Sequence, residues 1–149
     1  MSAQPELFAV EFTVYGQPVP QGSKKAIGRN VIEIADARLR SWRHDVASAA
    51  YAEMGDTKPF LRPVAIQLHF HFDRPRGHYG TGRNAERLKP SAPAVPGVKP
   101  DLDKLIRSVL DAITGIVIRD DCLVVSLVSG KFYAQGRPPG LDCQVIQFG

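Results

Sequence analysis

The sequence predicts an α/β (α+β) fold, a mixed β-sheet with two main helices packed on one face. Three observations point there. Two segments, residues 7–15 and 64–72, alternate apolar and polar side chains with the period of two that a half-buried strand requires. Two others, residues 36–54 and 102–114, repeat apolar side chains every three to four residues, as a helix with one buried face does. The elements follow in the order strand, helix, strand, helix, strands, and 149 residues suffice for one domain with a sizeable core.

In the first strand Phe8, Val10, Phe12 and Val14 share one face and Glu11 and Thr13 the other, and Gly16 ends it. Residues 16–25 carry the Gly and Pro punctuation of a loop and lead into residues 31–34, expected as a short strand. Asp36 is then expected to cap a helix whose apolar stripe is Leu39, Trp42, Val46, Ala49 and Ala50, ending near Gly55. Pro63 opens the second strand, with Val64, Ile66, Leu68, Phe70 and Phe72 opposite Gln67, His69 and His71. Residues 73–100 hold five prolines and four glycines and fit no regular element; a connection this long is expected to be functional or mobile. Leu102, Leu105, Ile106, Val109, Leu110 and Ile113 stripe the second helix, which Gly115 terminates. A short apolar piece at 116–118, a turn at Arg119-Asp120-Asp121, an apolar run at 123–128 and a last strand near 143–148 complete the chain.

Hydrophobic residues make up 44% and charged residues 23%, which excludes a disordered, collagenous or coiled-coil chain. No apolar run approaches the roughly 20 residues that span a bilayer, and the first residues lack the basic end and apolar run of a signal peptide. A cytoplasmic protein with no membrane partner is therefore expected. Cys122 and Cys143 are too few for a disulfide framework, lack zinc-site spacing, and are expected as reduced core thiols. The net charge of +4 conceals a segregation. Residues 74–99 carry Arg74, Arg76, Arg83, Arg87, Lys89 and Lys99 against Glu86, a net +5. Residues 23–43 carry Lys24, Lys25, Arg29, Arg38, Arg40 and Arg43 against Glu33 and Asp36, a net +4, so the rest of the chain is acidic. Such segregation suits a polyanionic partner, although a single solvated basic tract needs none.

Candidate chemistry concentrates between Lys99 and Ala112 and at Asp120-Asp121. In a continuous helix, positions two apart point about 200° away from each other, so Asp101 and Asp103 would not share a ligand. Pro100 changes this by placing Asp101 at the N-cap with extended dihedrals, from which its carboxylate can turn toward Asp103. Joined by a third carboxylate from the 120/121 turn, the pair would form an oxygen-rich site suited to Mg²⁺. The plainer alternative is that Asp is favoured at a helix start by capping and by the macrodipole, with no metal involved. Arg107, one turn after Asp103 and one before Asp111, is likewise open to two readings. It is a member of an i,i+4 ion-pair ladder at about 0.3–0.5 kcal/mol per pair, or a cation that orients a phosphate.

Three weaker signals can be ranked. Gly16 to Lys24 is not a phosphate loop, because five residues separate Gly16 from Gly22 and Ser23 intervenes before the lysine. His69 and His71 share a strand face but have no cysteine or carboxylate at ligand spacing, and read as a solvent-facing or interface pair. Residues 78–84 mix base-stacking and phosphate-binding side chains, which suits nucleic acid as well as a mobile surface loop.

The stretch Lys99-Pro-Asp-Leu-Asp-Lys-Leu-Ile-Arg-Ser-Val-Leu-Asp-Ala112, with Asp120-Asp121, resembles the signature of the RusA family of Holliday junction resolvases. That signature typically reads P-D-x-D-N-L-x-K, a D-A-L helix, and a D-D-x-Q-V turn and strand. Residues 16–22 are similar to the family's first-strand exit, and the 74–99 loop resembles the Gly/Pro-rich insertion of phage-encoded members. The resemblance extends over most of the chain and implies a single RusA-like nuclease domain over residues 1–149. It implies a homodimeric, Mg²⁺-dependent endodeoxyribonuclease, with Mn²⁺ as a substitute, that makes paired nicks across a four-way DNA junction in recombination and repair. By the same resemblance Asp101, Asp103 and Asp121 take the places of the metal-binding acids, with Asp120 a further candidate, and Arg107 that of the catalytic lysine. The basic tracts are then expected to grip DNA phosphates through Lys24, Lys25, Arg74, Arg76, Arg83, Arg87, Lys89, Lys99 and Lys104.

The chain departs from the pattern in three places. Lys104 replaces the usual Asn, and Cys122-Leu123 stands where a variable residue and Gln are common. Arg at 107 excludes proton transfer, because guanidinium stays protonated, but keeps the ability to stabilise transition-state charge. The alternative is a non-catalytic binder of branched or single-stranded DNA that has lost turnover through the changes at 104 and 107. A D-x-D nucleotide-sugar transferase is set aside, because 149 residues leave little room for a donor-binding domain.

Overall fold

The computed structural model of the chain describes residues 8–22 and 29–149, and in its first helix the side chains from Ala37 onward. Four strands, β1 (Ala9–Tyr15), β2 (Val64–Phe72), β3 (Val124–Tyr133) and β4 (Gly140–Gln147), form one sheet in the order β1-β4-β2-β3. β4 runs antiparallel to both β1 and β2, whereas β2 and β3 are parallel, so the sheet is mixed. Two helices, α1 (Arg29–Met54) and α2 (Leu102–Ile113), complete the α+β fold.

The period-two alternation fixes which face is buried, and the register lines it up in rows. Val10, Val145 and Ile66 lie side by side across three strands, as do Phe12, Cys143 and Leu68, and Val14, Leu141 and Phe70. All nine are buried, and Trp42, Val46 and Ala50 of α1 and Leu105, Val109 and Ile113 of α2 close the same core. Each such aliphatic or aromatic side chain contributes about 1.5–3 kcal/mol by leaving water. The opposite sheet face carries Glu11, Thr13, Gln67, His69, His71, Asp142 and Gln144, and no element among the described residues covers it. Gly140 opens β4 where a Cβ would collide with the carbonyl of Val14, so β1 and β4 can pair to their ends only with glycine there.

Five expectations are corrected. Residues 31–34 are helical, not a strand, and Asp36 lies within α1, which begins at Arg29. The spacing Val31, Ala35, Leu39, Trp42 continues the helical stripe upstream, and a cooperative helix overrides the β preference of a short run. Cys122 is exposed on a turn, while Cys143 is buried as expected and its thiol is pushed up by burial. The long loop is also less irregular than its composition suggests. It holds 3₁₀ turns at Arg76–His78 and Gly82–Asn84, and folds back through the Gly80 amide to the Arg87 carbonyl (2.9 Å) and the Lys89 amide to the His78 carbonyl (2.9 Å). β3 further extends five residues beyond the apolar run that announced it, because Ser129, Gly130 and Lys131 interrupt the pattern without interrupting the ladder to β2.

Candidate functional site

Helix α2 begins as its sequence dictates. Asp101 is the N-cap, with extended dihedrals (φ −69°, ψ 136°), and its carbonyl accepts the first helical bond from the Leu105 amide at 3.1 Å. Its carboxylate makes no capping bond, however, and stands 3.3 Å from the ammonium of Lys104. Asp103, in the first turn, is exposed. Capping therefore does not explain Asp101, and two exposed carboxylates share one helix start where unbonded amides favour negative charge.

The backbone leading into this pair is anchored from the sheet. Lys131 is in register with Phe70 and so turns toward the helix side, where its ammonium donates to the carbonyls of Val98 (2.5 Å) and Pro100 (2.8 Å). The segment 17–22 is tied along the same helix by the Ser108 hydroxyl, 2.9 Å from the Val19 carbonyl, and by the Gln21 amide to the Lys104 carbonyl at 3.0 Å. Sequence reading passed over Lys131. The signal it left is that it is the lone charge between residues 122 and 136.

The second acidic pair lies elsewhere. Asp120 caps a 3₁₀ turn (Asp121–Leu123), accepting from the Cys122 amide at 2.9 Å, and that bond holds its carboxyl below the usual carboxylate range. The same carboxylate raises the Cys122 thiol by accepting from it. Asp121 is exposed beside it. This turn opens β3, whereas Lys131 and the start of α2 lie near the far end of that strand. Lys131 lies seven positions after Val124, about 23 Å at a strand's rise. The twelve residues of α2 span about 18 Å, and the chain turns at its C-terminal end through Ile118, which pairs with Phe60. The expectation that the 120/121 turn joins Asp101 and Asp103 within one chain is corrected: the two pairs occupy opposite ends of α2, roughly 20 Å apart. Consistently, no three His, Cys, Asp or Glu side chains among the described residues gather closely enough to hold a metal ion. Asp101 and Asp103 nonetheless offer a donor set of oxygen alone, which suits Mg²⁺, an ion commonly held by one or two carboxylates together with substrate phosphates.

The cations divide as sharply. Arg107 is exposed and joins no ion pair among the described residues, since Asp111 is instead taken by the Gln21 side-chain amide; the ladder reading of Arg107 therefore fails. Arg76, Arg83, Arg87, Lys89 and Lys99 are exposed. Arg74 is not among them: its guanidinium lies 4.3 Å from the centre of the Tyr133 ring and donates to the Pro93 carbonyl at 2.7 Å, a structural role. Lys104 is paired with Asp101, and Lys24 and Lys25 lie outside the described residues. Arg40, Arg43 and His44 of α1 line an open groove against Asp111 and Ala112 of α2.

On the uncovered sheet face His71 lies 3.1 Å from Asp142, which also accepts from Arg137 at 2.6 Å. Burial, with Arg137 nearby, lowers the His71 pKa and so favours the neutral imidazole, against the opposing pull of Asp142. Burial works to raise the Asp142 carboxyl, but the bonds from Arg137 and Thr13 outweigh it and hold the group below its usual range. His69 and His71 both pack on Phe132, with ring centres 5.2 and 5.7 Å away, so the histidine pair belongs to a surface network.

The family model described as Endodeoxyribonuclease RusA matches residues 15–145, a span that includes both acidic pairs, Arg107 and Lys131. Among curated proteins, the chain is 29% identical over 128 residues to the uncharacterized protein YqaN of Bacillus subtilis (strain 168), covering 85% of this chain and 89% of that one. No helix among the described residues is long and apolar enough to cross a membrane.

Proposed function

The chain belongs to the endodeoxyribonuclease RusA family, and from that premise we propose that it is a homodimeric, Mg²⁺-dependent nuclease that nicks four-way DNA junctions in recombination and repair. The observation that carries this reading is the state of Asp101: an N-cap aspartate that does not cap, its carboxylate directed to solvent and Lys104 beside an exposed Asp103.

Asp101 and Asp103 would hold the cation. A divalent ion bound there supplies a positive centre for the scissile phosphate and makes a hydrolytic water more acidic. Arg107, one turn along the same exposed face, donates to a non-bridging phosphate oxygen and stabilises the negative charge that develops as water attacks in line. It moves no proton, because guanidinium remains protonated. Lys104, paired with Asp101 at 3.3 Å, offsets carboxylate repulsion of the incoming phosphate, and Lys131 holds the backbone that presents both acids. The exposed loop cations and the α1 arginines bind the junction arms through phosphates, which gives shape recognition with little sequence reading.

The separation of the two acidic pairs supports the dimer. A centre that uses Asp121 together with Asp101 and Asp103 takes Asp121 from a second copy, since one chain keeps them roughly 20 Å apart.

A synthetic four-way junction, assayed with and without Mg²⁺, tests the reading. Wild-type protein is expected to nick it only with the metal and to leave ends that ligase seals. Asp103→Asn should abolish nicking while junction binding in EDTA persists or strengthens, because removing a carboxylate also removes repulsion of phosphate. Normal nicking by folded Asp103→Asn protein overturns the site assignment. Binding without nicking by the wild type identifies a non-catalytic junction binder instead.

A further inference from the structure

Strands β2 and β3 are parallel and end together, at Phe72 and Tyr133, on the helix side of the sheet. Both rings are only half-buried; Phe72 packs against the core on one side, and Tyr133 has the Arg74 guanidinium on one face and His78 against it edge-on, so each keeps only part of its surface open. The long loop passes over this end and returns through Pro96 and Pro100 to α2, leaving a cavity of about 160 Å³ lined by the two rings, the prolines, Lys99 and Lys131. Pro100 lines it, and the next residue is Asp101.

The polar groups of this cavity are incompletely used. Lys131 has three N–H donors and directs two bonds to the Val98 and Pro100 carbonyls. Gln17, also in the lining, donates to one oxygen of Asp73 at 3.0 Å; among the described residues its own carbonyl oxygen and the second Asp73 oxygen carry no bond. Flat aromatic and proline surfaces, unspent donors and acceptors, and cations in the lining together fit one kind of occupant. It is a planar heterocycle with a hydrogen-bonding edge, attached to a polyanionic chain. An apolar side chain would leave the polar groups idle, and a free phosphate would leave the rings idle.

We propose that this cavity receives one unstacked nucleobase of the strand whose scissile phosphate meets Asp101 and Asp103. The inference rests on the nuclease reading for the identity of that strand. It also gives the protein a means of preferring branched DNA. Extruding a base from continuous duplex breaks stacking on both sides, whereas a base at a branch point is already partly unstacked and enters at lower cost. Base capture on aromatic rings therefore rewards the branched substrate selectively, which phosphate contacts alone do not do.

The experiment moves a single abasic site through the nucleotides within two positions of the crossover of a four-way junction and measures affinity in EDTA, so that binding is read without catalysis. At one position the abasic junction should bind about 10-fold more weakly than the intact one, the loss expected when one stacked base is removed. Val98, a cavity residue that is 65% exposed, gives a second arm. Val98→Trp fills the space from the margin without touching the core, and should lose a similar factor on the intact junction and nothing further on the abasic one. Equal affinity for all abasic positions overturns the proposal, as does a Val98→Trp protein that still loses the full factor on the abasic junction. If Val98→Trp does not fold, the wild-type abasic series decides alone. Absence of Mg²⁺-dependent nicking of the intact junction is a separate result that overturns the nuclease reading and leaves the affinity comparison valid.

Discussion

The two ends of α2 each present a pair of aspartates, and they differ in what those aspartates are doing. At the C-terminal end Asp120 is committed to its own turn, accepting from the Cys122 amide, so only Asp121 has its carboxylate to offer. At the N-terminal end the Asp101 carboxylate makes no capping hydrogen bond, and the backbone is held from outside by Lys131 and by the segment that follows β1. A helix start that needed its N-cap for stability would spend the Asp101 carboxylate on the amides of the first turn, a bond worth about 1 kcal/mol. Here sheet and loop carry the load, and the carboxylate pairs with Lys104 instead of capping. On the proposed reading, the difference teaches that one chain would supply two incomplete halves of a centre, with the preorganised half at the start of α2.

The contrast can be pressed hardest at Arg107, which belongs to the N-terminal end of α2 and joins no ion pair among the described residues. Arg107→Ala should slow single-turnover cleavage about 100-fold or more with a stability loss under about 1 kcal/mol, whereas Arg107→Lys should retain most of the rate. Wild-type rates for the alanine variant in a quenched-flow assay would remove Arg107 from the chemistry.

Lys131→Met tests the anchoring next. Losing two charged hydrogen bonds should cost about 1–2 kcal/mol in urea unfolding. Loosening the acids should raise the Mg²⁺ concentration needed for half-maximal cleavage by about 10-fold, a factor of ten corresponding to about 1.4 kcal/mol. A lower melting temperature with an unchanged Mg²⁺ requirement would reduce Lys131 to a packing residue.

The smallest effect on chemistry is expected from the loop. Replacing Arg83, Arg87 and Lys89 with Ser removes three exposed cations and should flatten the slope of log K against log salt by up to about 2.7. The backbone bonds of Gly80 and Lys89 survive the change, so the melting temperature should hold, as should cleavage at saturating protein. An unchanged salt slope would shift the DNA grip to the arginines of α1.

Much of this was legible in the sequence wherever one local rule decided the outcome. Period-two alternation gave the buried rows of β1 and β2, Pro100 placed Asp101 at the N-cap, and Gly115, at φ +90°, stopped α2. What was not legible depended on through-space partners. Nothing at Lys131 announces that its ammonium ties down residues thirty positions upstream, and Arg74 looked like one more free cation until Tyr133 came beneath it. Residues 31–34 misled because a short β-branched run is decided by the helix it joins. The two aspartate pairs looked like one site because sequence spacing says nothing about which end of a helix the chain returns to.

The central claim is that a complete centre takes Asp101 and Asp103 from one copy and Asp121 from the other. Asp103→Asn and Asp121→Asn proteins should each be inactive on a four-way junction with Mg²⁺. Co-refolded so that mixed dimers form, they should regain nicking, because a mixed dimer has one centre carrying both substitutions and one carrying none. The product should be single nicks rather than paired ones. A mixture that stays inactive, with mixed dimers demonstrated by native mass spectrometry, would contradict the shared centre.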